Sequence, residues 1–279
     1  MKTRTPITTA LITGASSGIG EELVRQLILH PEWPNLQIIA TARRMDRLEK
    51  LADQFAPGKI IPVAADLCDP ADRDRLWAFV QTRFGHLDLI INNAGFGTYC
   101  KLEESDPEVV QKILAVNVEA VIDLTAKSLA WMKPRGKGQI VQISSILGEV
   151  GIPFSATYTA SKHAVNGLVK SLRSEIAGSG VAVWAACPGQ TVSEFREIAG
   201  QNKATIRGKS AEPTQKVVAG IVRGILSGHR RPFLYPTWKP LAIAYLAWIS
   251  PRLWDMIMIR YGRKFAMDDL PETSETQPK

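Results

Sequence analysis

The sequence predicts an α/β fold in which a parallel, doubly wound sheet of about seven strands carries helices on both faces. Short apolar runs that suit strands alternate along the chain with segments of helical apolar spacing. These strand runs are almost continuously apolar, which is typical of strands that are buried on both faces. The chain has 279 residues, 45% of them hydrophobic, which is enough for one large α/β domain or two small ones.

The elements follow in a regular order. Six predicted strands are ITTALIT, LQIIATA, IIPVAA, LDLIINNA, GQIVQISS and VAVWAACP, and RPFLYPT is a seventh after the helix PTQKVVAGIVRGILSG. Other helices are predicted in GEELVRQLIL, RDRLWAFVQTRF and VQKILAVNVEAVIDLTAKSLAWM. We therefore expect a catalytic domain over residues 1–237, a C-terminal extension of apolar and amphipathic helices over 238–267, and a disordered tail over 268–279.

Composition excludes several classes of function. The net charge is +7, but Lys and Arg are spread along the chain without a basic block, so a nucleic-acid partner is not expected. Such a charge still favours anionic ligands such as phosphates or lipid headgroups. The N-terminus has no secretory signal, so we expect a cytoplasmic protein. Three distant cysteines and four scattered histidines predict reduced thiols and no metal site.

A glycine-rich turn joins the first strand to the first helix. The stretch TGASSGIG places glycines at 14, 18 and 20 directly before helical spacing. Glycines permit close approach of the backbone to a ligand, and a helix N-terminus offers free N–H groups to a pyrophosphate. The pattern indicates a dinucleotide site, although a turn without a ligand is the alternative.

The end of the second strand bears on the choice of nucleotide. An acidic residue there would bind the ribose hydroxyls of NAD, whereas an arginine would accommodate the 2′-phosphate of NADP. The sequence has Ala42, Arg43 and Arg44 at this point, which favours NADP. Ser17 is neutral where a second basic residue would strengthen the preference, and the arginines could simply solvate a strand end.

Several motifs together resemble the classical short-chain dehydrogenase/reductase family. They are TGASSGIG, NNAG at 92–95, VNV around Asn117, ISS at 143–145, Tyr158 with Lys162, and PG at 188–189, in the family's order over residues 7 to 237. The resemblance implies a Rossmann-type fold, an oxidoreductase acting on CH-OH or C=O groups, and a homodimer or homotetramer.

Tyr158 and Lys162 lie four residues apart and so share a helix face. A free phenol has a pKa near 10 and exchanges protons poorly at neutral pH. A nearby ammonium would favour its phenolate, so the pair suits general acid and base catalysis. An isolated pair of this kind could also be part of a solvated helix face. The surrounding family motifs favour the catalytic interpretation instead.

The resemblance also implies further roles. Ser145 would hold the substrate oxygen, and Asn117 would hold a water that links Lys162 to solvent, unless it is a purely structural amide. Asp66 would contact adenine, Pro188 and Gly189 would shape the nicotinamide loop, and Ser193 would bond the carboxamide. The full expected cofactor set is Gly14, Ser16, Ser17, Gly18, Ile19, Gly20, Arg43, Arg44, Asp66, Leu67, Asn93, Ala94, Gly95, Tyr158, Lys162, Pro188, Gly189, Thr191 and Ser193.

The expected substrate is apolar. By resemblance its pocket is built from ILGEVGIPFSAT and a lid at about 194–210, and the first segment is apolar except for Glu149. Ser145, Leu147, Val150, Phe154 and Tyr158 are the candidate substrate contacts, although several could instead pack in the core. The sequence thus predicts an NADP(H)-dependent oxidoreductase for an apolar ketone, aldehyde or alcohol. An NAD-dependent alcohol dehydrogenase and a catalytically silent NADP-binding, membrane-associated protein are the alternatives.

The C-terminal segment 237–265 leaves two interpretations open. Leu241 to Ile249 is too short an apolar run to span a bilayer, which needs about 20 residues. Beyond Pro251, apolar residues recur at helical spacing, with basic residues towards the other face. Such a stripe packs on the protein body or a partner subunit, or it lies in the plane of a membrane surface. The apolar stripe is Trp254, Ile257, Met258, Tyr261 and Phe265, and the polar face holds Arg252, Asp255, Arg263 and Lys264.

Overall fold

The computed structural model describes residues 6–192 and 211–265, without the side chains of 264 and 265. Seven parallel strands form one sheet in the order β3-β2-β1-β4-β5-β6-β7. They are β1 (Thr9–Thr13), β2 (Gln37–Ala42), β3 (Ile60–Ala64), β4 (Leu89–Asn92), β5 (Gly138–Ile143), β6 (Val181–Ala186) and β7 (Phe233–Leu234). The predicted doubly wound fold is confirmed. β7 is only two residues long and pairs with the end of β6.

Helices connect successive strands and cover both faces of the sheet. They are α1 (Gly18–Ile28), α2 (Met45–Ala52), α3 (Pro70–Arg83), α4 (Pro107–Leu114), α5 (Ala120–Met132), α6 (Ala156–Glu175), α7 (Thr214–Ser227), α8 (Trp238–Ile249) and α9 (Pro251–Phe265). Short 3-10 turns lie at Leu102–Glu104, Lys133–Arg135 and Ile146–Gly148.

Alternate strand residues feed two hydrophobic cores. Ile12 points to the core that contains Leu23 of α1, Leu48 of α2 and Ile221 of α7. The neighbouring residue Leu11 points to the other core, with α3, α5 and α6 residues such as Trp77, Leu124 and Val169. The strands are therefore buried on both faces, which explains why their sequences are apolar without interruption.

The predicted long helix over 110–132 is interrupted. It begins at Pro107, where the Asp106 carboxylate caps it by accepting a hydrogen bond from the Glu108 N–H at 2.8 Å. A π-helical turn at Ala115–Glu119 then separates α4 from α5. Apolar spacing does not reveal one extra residue in a turn, and π turns are frequent at functional sites. Asn117 lies in the middle of this turn.

The strand order reverses between β1, which leads to β2 and β3, and β4, which leads to β5, β6 and β7. In open parallel sheets, ligands bind at the carboxyl edge at such a switch point. A ligand site is therefore expected at the loops that follow β1 and β4.

Candidate active site

Direct hydrogen bonds join the loops after β1 and β4. The Thr13 hydroxyl accepts hydrogen bonds from the backbone N–H groups of Asn93 and Ala94, each at 3.0 Å. In return, the Asn93 side-chain amide donates to the carbonyls of Thr13 at 2.9 Å and Gly14 at 3.1 Å. Thr13 is not among the residues predicted from the sequence, although its hydroxyl at the end of an apolar strand was the available signal. These bonds hold the two loops together at the switch point.

The glycine turn is packed too closely for side chains. A Cβ on Gly20 would lie 2.2 Å from the Gly14 carbonyl oxygen, and Gly14 itself has a φ of +66°. Helix α1 begins at Gly18, and the backbone of its N-cap, Ser17, is extended. Ser16, Ser17, Gly18 and Ile19 are half-buried. The N-terminus of α1 thus opens at the sheet edge, where its N–H groups suit a pyrophosphate.

Arg44 and Arg43 lie differently at the end of β2. The Arg44 guanidinium bonds to the Ser16 hydroxyl at 3.0 Å and to the Ser17 hydroxyl at 2.9 Å. It therefore brings a positive charge directly against the glycine turn. Arg43 is exposed and lies on the side of Cys68, where its charge acts to lower the pKa of that thiol against the larger raising effect of burial.

Asp66 and Leu67 shape the turn between β3 and α3. The Asp66 carboxylate accepts a hydrogen bond from the Cys68 N–H at 3.0 Å, while the Asp66 N–H donates to Asp72 at 2.9 Å. Leu67 is buried, and its carbonyl accepts from Arg73 at 2.7 Å. Both residues have a structural role here. The contact of Asp66 with adenine and the contact of Leu67 with the cofactor stay predictions.

Tyr158, Lys162 and Ser145 meet at the carboxyl end of β5. Helix α6 presents Tyr158 and Lys162 on one face, with the Lys162 Nζ 5.6 Å from the centre of the Tyr158 ring. Lys162 is buried, and its ammonium donates to the Ile143 carbonyl at 2.8 Å. The hydroxyls of Ser145 and Tyr158 are hydrogen-bonded. Ser145 also accepts from the Leu147 N–H at 3.1 Å, which caps the short 3-10 turn.

Burial controls the protonation of the pair. It raises the pKa of Tyr158 well above its ordinary value, while the hydrogen bond from Ser145 opposes this shift. Burial also lowers the pKa of Lys162 to about 8. The expected lowering of the tyrosine pKa by Lys162 is therefore absent from the protein alone. Desolvation is the main effect on Tyr158, and the Lys162 ammonium donates to a backbone carbonyl instead of the phenol.

Asn117 is wholly buried and satisfied by the protein. Its side-chain oxygen accepts from the Phe96 N–H at 3.1 Å, and its amide donates to the Phe96 carbonyl at 2.8 Å and the Ser161 hydroxyl at 3.0 Å. Ser161 in turn donates to the Tyr158 carbonyl at 2.7 Å. This favours the structural interpretation of the amide, because the side chain clamps the loop after β4 to helix α6. Its binding of a water stays a prediction.

The loop after β4 passes directly over the tyrosine and lysine. A Cβ on Gly95 would lie 3.0 Å from the Asn117 side-chain oxygen and 3.4 Å from the Lys162 Nζ. A Cβ on Gly97 would lie 2.8 Å from two ring carbons of Tyr158. Gly97 was not among the sequence-predicted residues, although its spacing two residues after Gly95 was the available signal.

Only some of the apolar residues expected to line the substrate pocket are accessible. Leu147 is half-buried, whereas Val150 is 4% exposed and packs inwards. Phe154 has a φ of +65°, which is unusual for a bulky residue, and its ring meets that of Tyr99 edge-on at 5.5 Å. The charged member, Glu149, accepts a hydrogen bond from Asn166 at 2.7 Å. Leu147 and Phe154 therefore remain the candidate substrate contacts on this side.

The loop after β6 closes the opposite side. The Pro188 carbonyl accepts from the Ile146 N–H at 2.9 Å, and the Thr191 hydroxyl donates to the Gly189 carbonyl at 3.2 Å. Thr191 is buried and pairs with Glu212 in an isolated bridge. Ser193 and the expected lid at 194–210 lie outside the described residues.

The C-terminal helices contact the loops beside the candidate site. The Trp254 indole N–H donates to the Gly151 carbonyl at 3.2 Å, and Tyr261 lies near the Tyr99 hydroxyl, whose pKa is raised mainly by burial. Trp254, Met258 and Tyr261 are half-buried, so these members of the predicted stripe pack on the body of the protein. Ile257 is 40% exposed and departs from that stripe, because the buried face follows a spacing of four and three residues from Trp254.

Several known proteins resemble this chain in sequence. A family model described as short chain dehydrogenase matches residues 8–204. D-beta-hydroxybutyrate dehydrogenase of Rhizobium meliloti is 33% identical over 207 residues, 73% of this chain and 79% of that protein. Dehydrogenase/reductase SDR family member 7B of Rattus norvegicus is 28% identical over 271 residues, 91% of this chain and 81% of its own length.

Solved structures share the fold. An alcohol dehydrogenase from the archaeon Thermococcus sibiricus, complexed with 5-hydroxy-NADP, superposes with a TM-score of 0.71 at 27% identity over 82% of this chain and 95% of its own. A short-chain dehydrogenase from Sphingobium yanoikuyae in complex with NADPH gives a TM-score of 0.75 at 23% identity, with coverage of 98% and 100%. One from Burkholderia phymatum in complex with NAD gives 0.77 at 22%, with coverage of 89% and 95%.

Proposed function

The chain belongs to the short-chain dehydrogenase/reductase family of oxidoreductases, and from that premise we propose that it is an NADP(H)-dependent reductase of apolar ketones or aldehydes. The observation that carries this proposal is the meeting of three groups at the carboxyl edge of the sheet. The hydroxyls of Ser145 and Tyr158 are bonded to each other, and the buried Lys162 lies beneath the tyrosine ring. The glycine turn and the N-terminus of α1 lie at the same edge of the sheet.

Each side chain has a defined task in this proposal. Tyr158 donates a proton to the carbonyl oxygen during reduction, and Ser145 hydrogen-bonds the same oxygen. Lys162 supplies positive charge beneath the ring, which stabilises the phenolate that remains. A bound nicotinamide cofactor would supply the hydride. The residues that would hold its pyrophosphate are those of the glycine turn and the first turn of α1.

Burial raises the pKa of Tyr158, so its phenol stays protonated throughout the neutral range, as the proton donor in carbonyl reduction must be. Alcohol oxidation would need the phenolate as a base, and the positive charge of a bound oxidised nicotinamide would favour that form. We propose reduction as the physiological direction, with oxidation of the alcohol as the reverse reaction.

The preference for NADP rests on the end of β2. Arg44, with the Ser16 and Ser17 hydroxyls, gathers hydrogen-bond donors next to the glycine turn, and Arg43 adds charge at the same strand end. Ala42 leaves no carboxylate there for ribose hydroxyls. Related structures bind either cofactor, NADPH in one and NAD in another, so NAD remains the alternative.

The proposal extends to the domains, the substrate, the oligomer and the location of the protein. We propose a catalytic domain over 1–237 with a lid at 194–210, an apolar substrate against Leu147 and Phe154, a homodimer or homotetramer, and a cytoplasmic location. The helices from 238 onwards form an extension.

The experiment that tests the function compares the wild type with Tyr158→Phe on NADPH and a panel of apolar ketones and aldehydes. The variant should retain NADPH binding, because the change leaves the glycine turn that would hold the pyrophosphate untouched. It should lose turnover by about 100-fold to 10,000-fold, since general acid catalysis is removed. Thr159→Ala on the same helix is the control.

Two results would contradict the proposal. Near-normal turnover in Tyr158→Phe would remove the tyrosine from the mechanism. A wild type that binds NADPH but reduces no carbonyl and oxidises no alcohol would instead indicate a catalytically silent NADP-binding protein.

A further inference from the structure

The C-terminal helices α8 and α9 form a hairpin, joined at Ser250, whose outer side is apolar. Ten of the sixteen exposed large hydrophobic residues in the described part of the chain lie on these two helices. Trp238 is 67% exposed, Trp248 78% and Ile249 71%. We call the outward apolar residues of Trp238–Ile249 and Pro251–Phe265 the hairpin surface. An exposed patch of this kind marks an interaction site.

Packing on the body does not account for this surface. The inner side of α9 is already in contact with the core domain through Trp254 and Tyr261, and Gly262 lies close to Pro153. In α8, Pro240 lies against Gly189. The hairpin is thus seated on the loops of the candidate active site, and its outer residues point away from that seat.

The charged residues of the two helices indicate which kind of partner covers the hairpin surface. Residues 238–265 contain Lys239, Arg252, Arg260, Arg263 and Lys264 but a single acidic residue, Asp255. Arg252, Arg260 and Arg263 are exposed among the apolar side chains. Two copies of the chain meeting through this surface about a two-fold axis would bring like charges together. An anionic lipid surface would pair with the same charges.

The composition and length of the helices fit a position in the plane of the membrane. Trp and Tyr favour the boundary between headgroups and acyl chains, and long basic side chains can reach from there to the phosphates. α8 has 12 residues and α9 has 15, whereas a span needs about 20. Within residues 6–192 and 211–265, every helix is too short or too polar to cross a bilayer.

We propose that the hairpin surface docks the protein on an anionic membrane, with α8 and α9 lying in the interface. Docking would turn the loop at 151–154, which α9 covers, towards the lipid. If the proposed function holds, an apolar carbonyl dissolved in the bilayer then has a short path to Tyr158.

Co-sedimentation with vesicles tests the proposal using the full-length protein. Phosphatidylcholine vesicles with and without phosphatidylserine are compared at low and high salt. The wild type should bind the anionic vesicles at low salt, and high salt should weaken binding. Trp248→Glu with Ile249→Glu should lower binding at least tenfold, while Leu29→Glu, at an equally exposed leucine (71%) that follows the last residue of α1, should not.

The role of the basic residues is tested with a second variant and a matched control. Arg260→Gln with Arg263→Gln should weaken binding by about 5-fold per arginine. Arg83→Gln with Lys133→Gln makes the same charge change at exposed positions at the opposite edge of the sheet and should have little effect. NADPH binding and thermal unfolding show whether each variant is folded.

Three outcomes would overturn the inference. The wild type could remain in the supernatant with anionic vesicles at low salt, or the control variants could lose as much binding as the hairpin variants. A third outcome assigns the surface to a second copy of the chain: an oligomer that the Trp248 and Ile249 changes dissociate, with no vesicle binding. Reduction of a water-soluble aldehyde is measured in parallel, so failure of docking is distinguishable from failure of the proposed function.

Discussion

Single residues at the end of β2 decide how the cofactor site is charged. Adjacent arginines in the sequence take different positions in the fold, since Arg44 contacts the glycine turn and Arg43 faces the solvent near Cys68. Their place in the sequence alone predicted that both arginines bind the cofactor. Only the side-chain contacts show that Arg44 brings its charge to Ser16 and Ser17.

We expect Arg43→Ala and Arg44→Ala each to weaken NADPH binding by about tenfold to a hundredfold and to leave NADH nearly unchanged. A charged hydrogen bond contributes roughly 1.5 to 3 kcal/mol, and only NADPH carries the 2′-phosphate. Titrating both cofactors into both variants measures the effect, with Arg83→Ala as the control. Equal loss of NADH and NADPH would mean that the arginine only supports the turn. A wild type that prefers NADH would contradict the assignment of NADP.

At the level of elements, the loop after β4 is held over α6 by the π-helical turn. Asn117 bonds both backbone groups of Phe96 and the Ser161 hydroxyl. Gly95 and Gly97 leave room for Lys162 and Tyr158 beneath the loop. The tyrosine ring is therefore positioned by a neighbouring element as well as by its own helix.

Gly97→Ala should displace the Tyr158 ring, because the new methyl would lie 2.8 Å from two ring carbons. A shift of about 1 Å at a reacting group can cost about 100-fold in rate, so turnover should fall by about tenfold to a hundredfold. NADPH affinity should change much less. Steady-state kinetics and cofactor titration separate the two effects.

Gly85→Ala is the matched control, since a Cβ there meets nothing within 4 Å. Unchanged turnover in Gly97→Ala would show that the ring position does not depend on this loop.

In the whole molecule, the two edges of the sheet differ in what their polar side chains do. The carboxyl edge holds the candidate active site, and the amino edge is fixed by Asp88 at the start of β4. This buried carboxylate accepts hydrogen bonds from the Thr8 N–H and hydroxyl, each at 2.9 Å, and from Arg135 at 3.1 Å. Burial acts to raise its pKa, but these hydrogen bonds outweigh burial and hold the pKa below its ordinary value.

Asp88→Asn should lower the free energy of unfolding at pH 7 by about 2 to 4 kcal/mol, because it leaves Arg135 without its partner charge. The folded-state pKa lies below the unfolded value, so the stabilisation is present above about pH 4 and is lost as pH falls through the folded pKa. The difference from the wild type should therefore shrink in acid. Urea unfolding at several pH values measures it.

Asp74→Asn, which removes an exposed partner of Lys127, should change stability far less. A difference between wild type and Asp88→Asn that stays constant down to pH 2 would contradict the role given to the carboxylate.

The sequence by itself determined the fold class and the order of the strands along the chain. Continuous apolar runs have to be buried on both faces, and the glycine turn has to precede α1. It also determined the family, because motifs such as Tyr158 with Lys162 lie within single elements whose spacing is local. Local spacing is enough to place two side chains on one helix face.

Only the tertiary structure decided which groups from different elements meet. The π turn that directs Asn117 to Phe96, the contact of Gly97 with Tyr158 and the position of Arg44 on the glycine turn all join distant parts of the chain. Desolvation is likewise a property of the packed molecule, which is why the pKa of Tyr158 rises where the sequence predicted a fall. The split of the C-terminal stripe into an inner side on Gly151 and Tyr99 and an outer apolar side has the same origin: a helix has a buried face only once it has been placed against a neighbour.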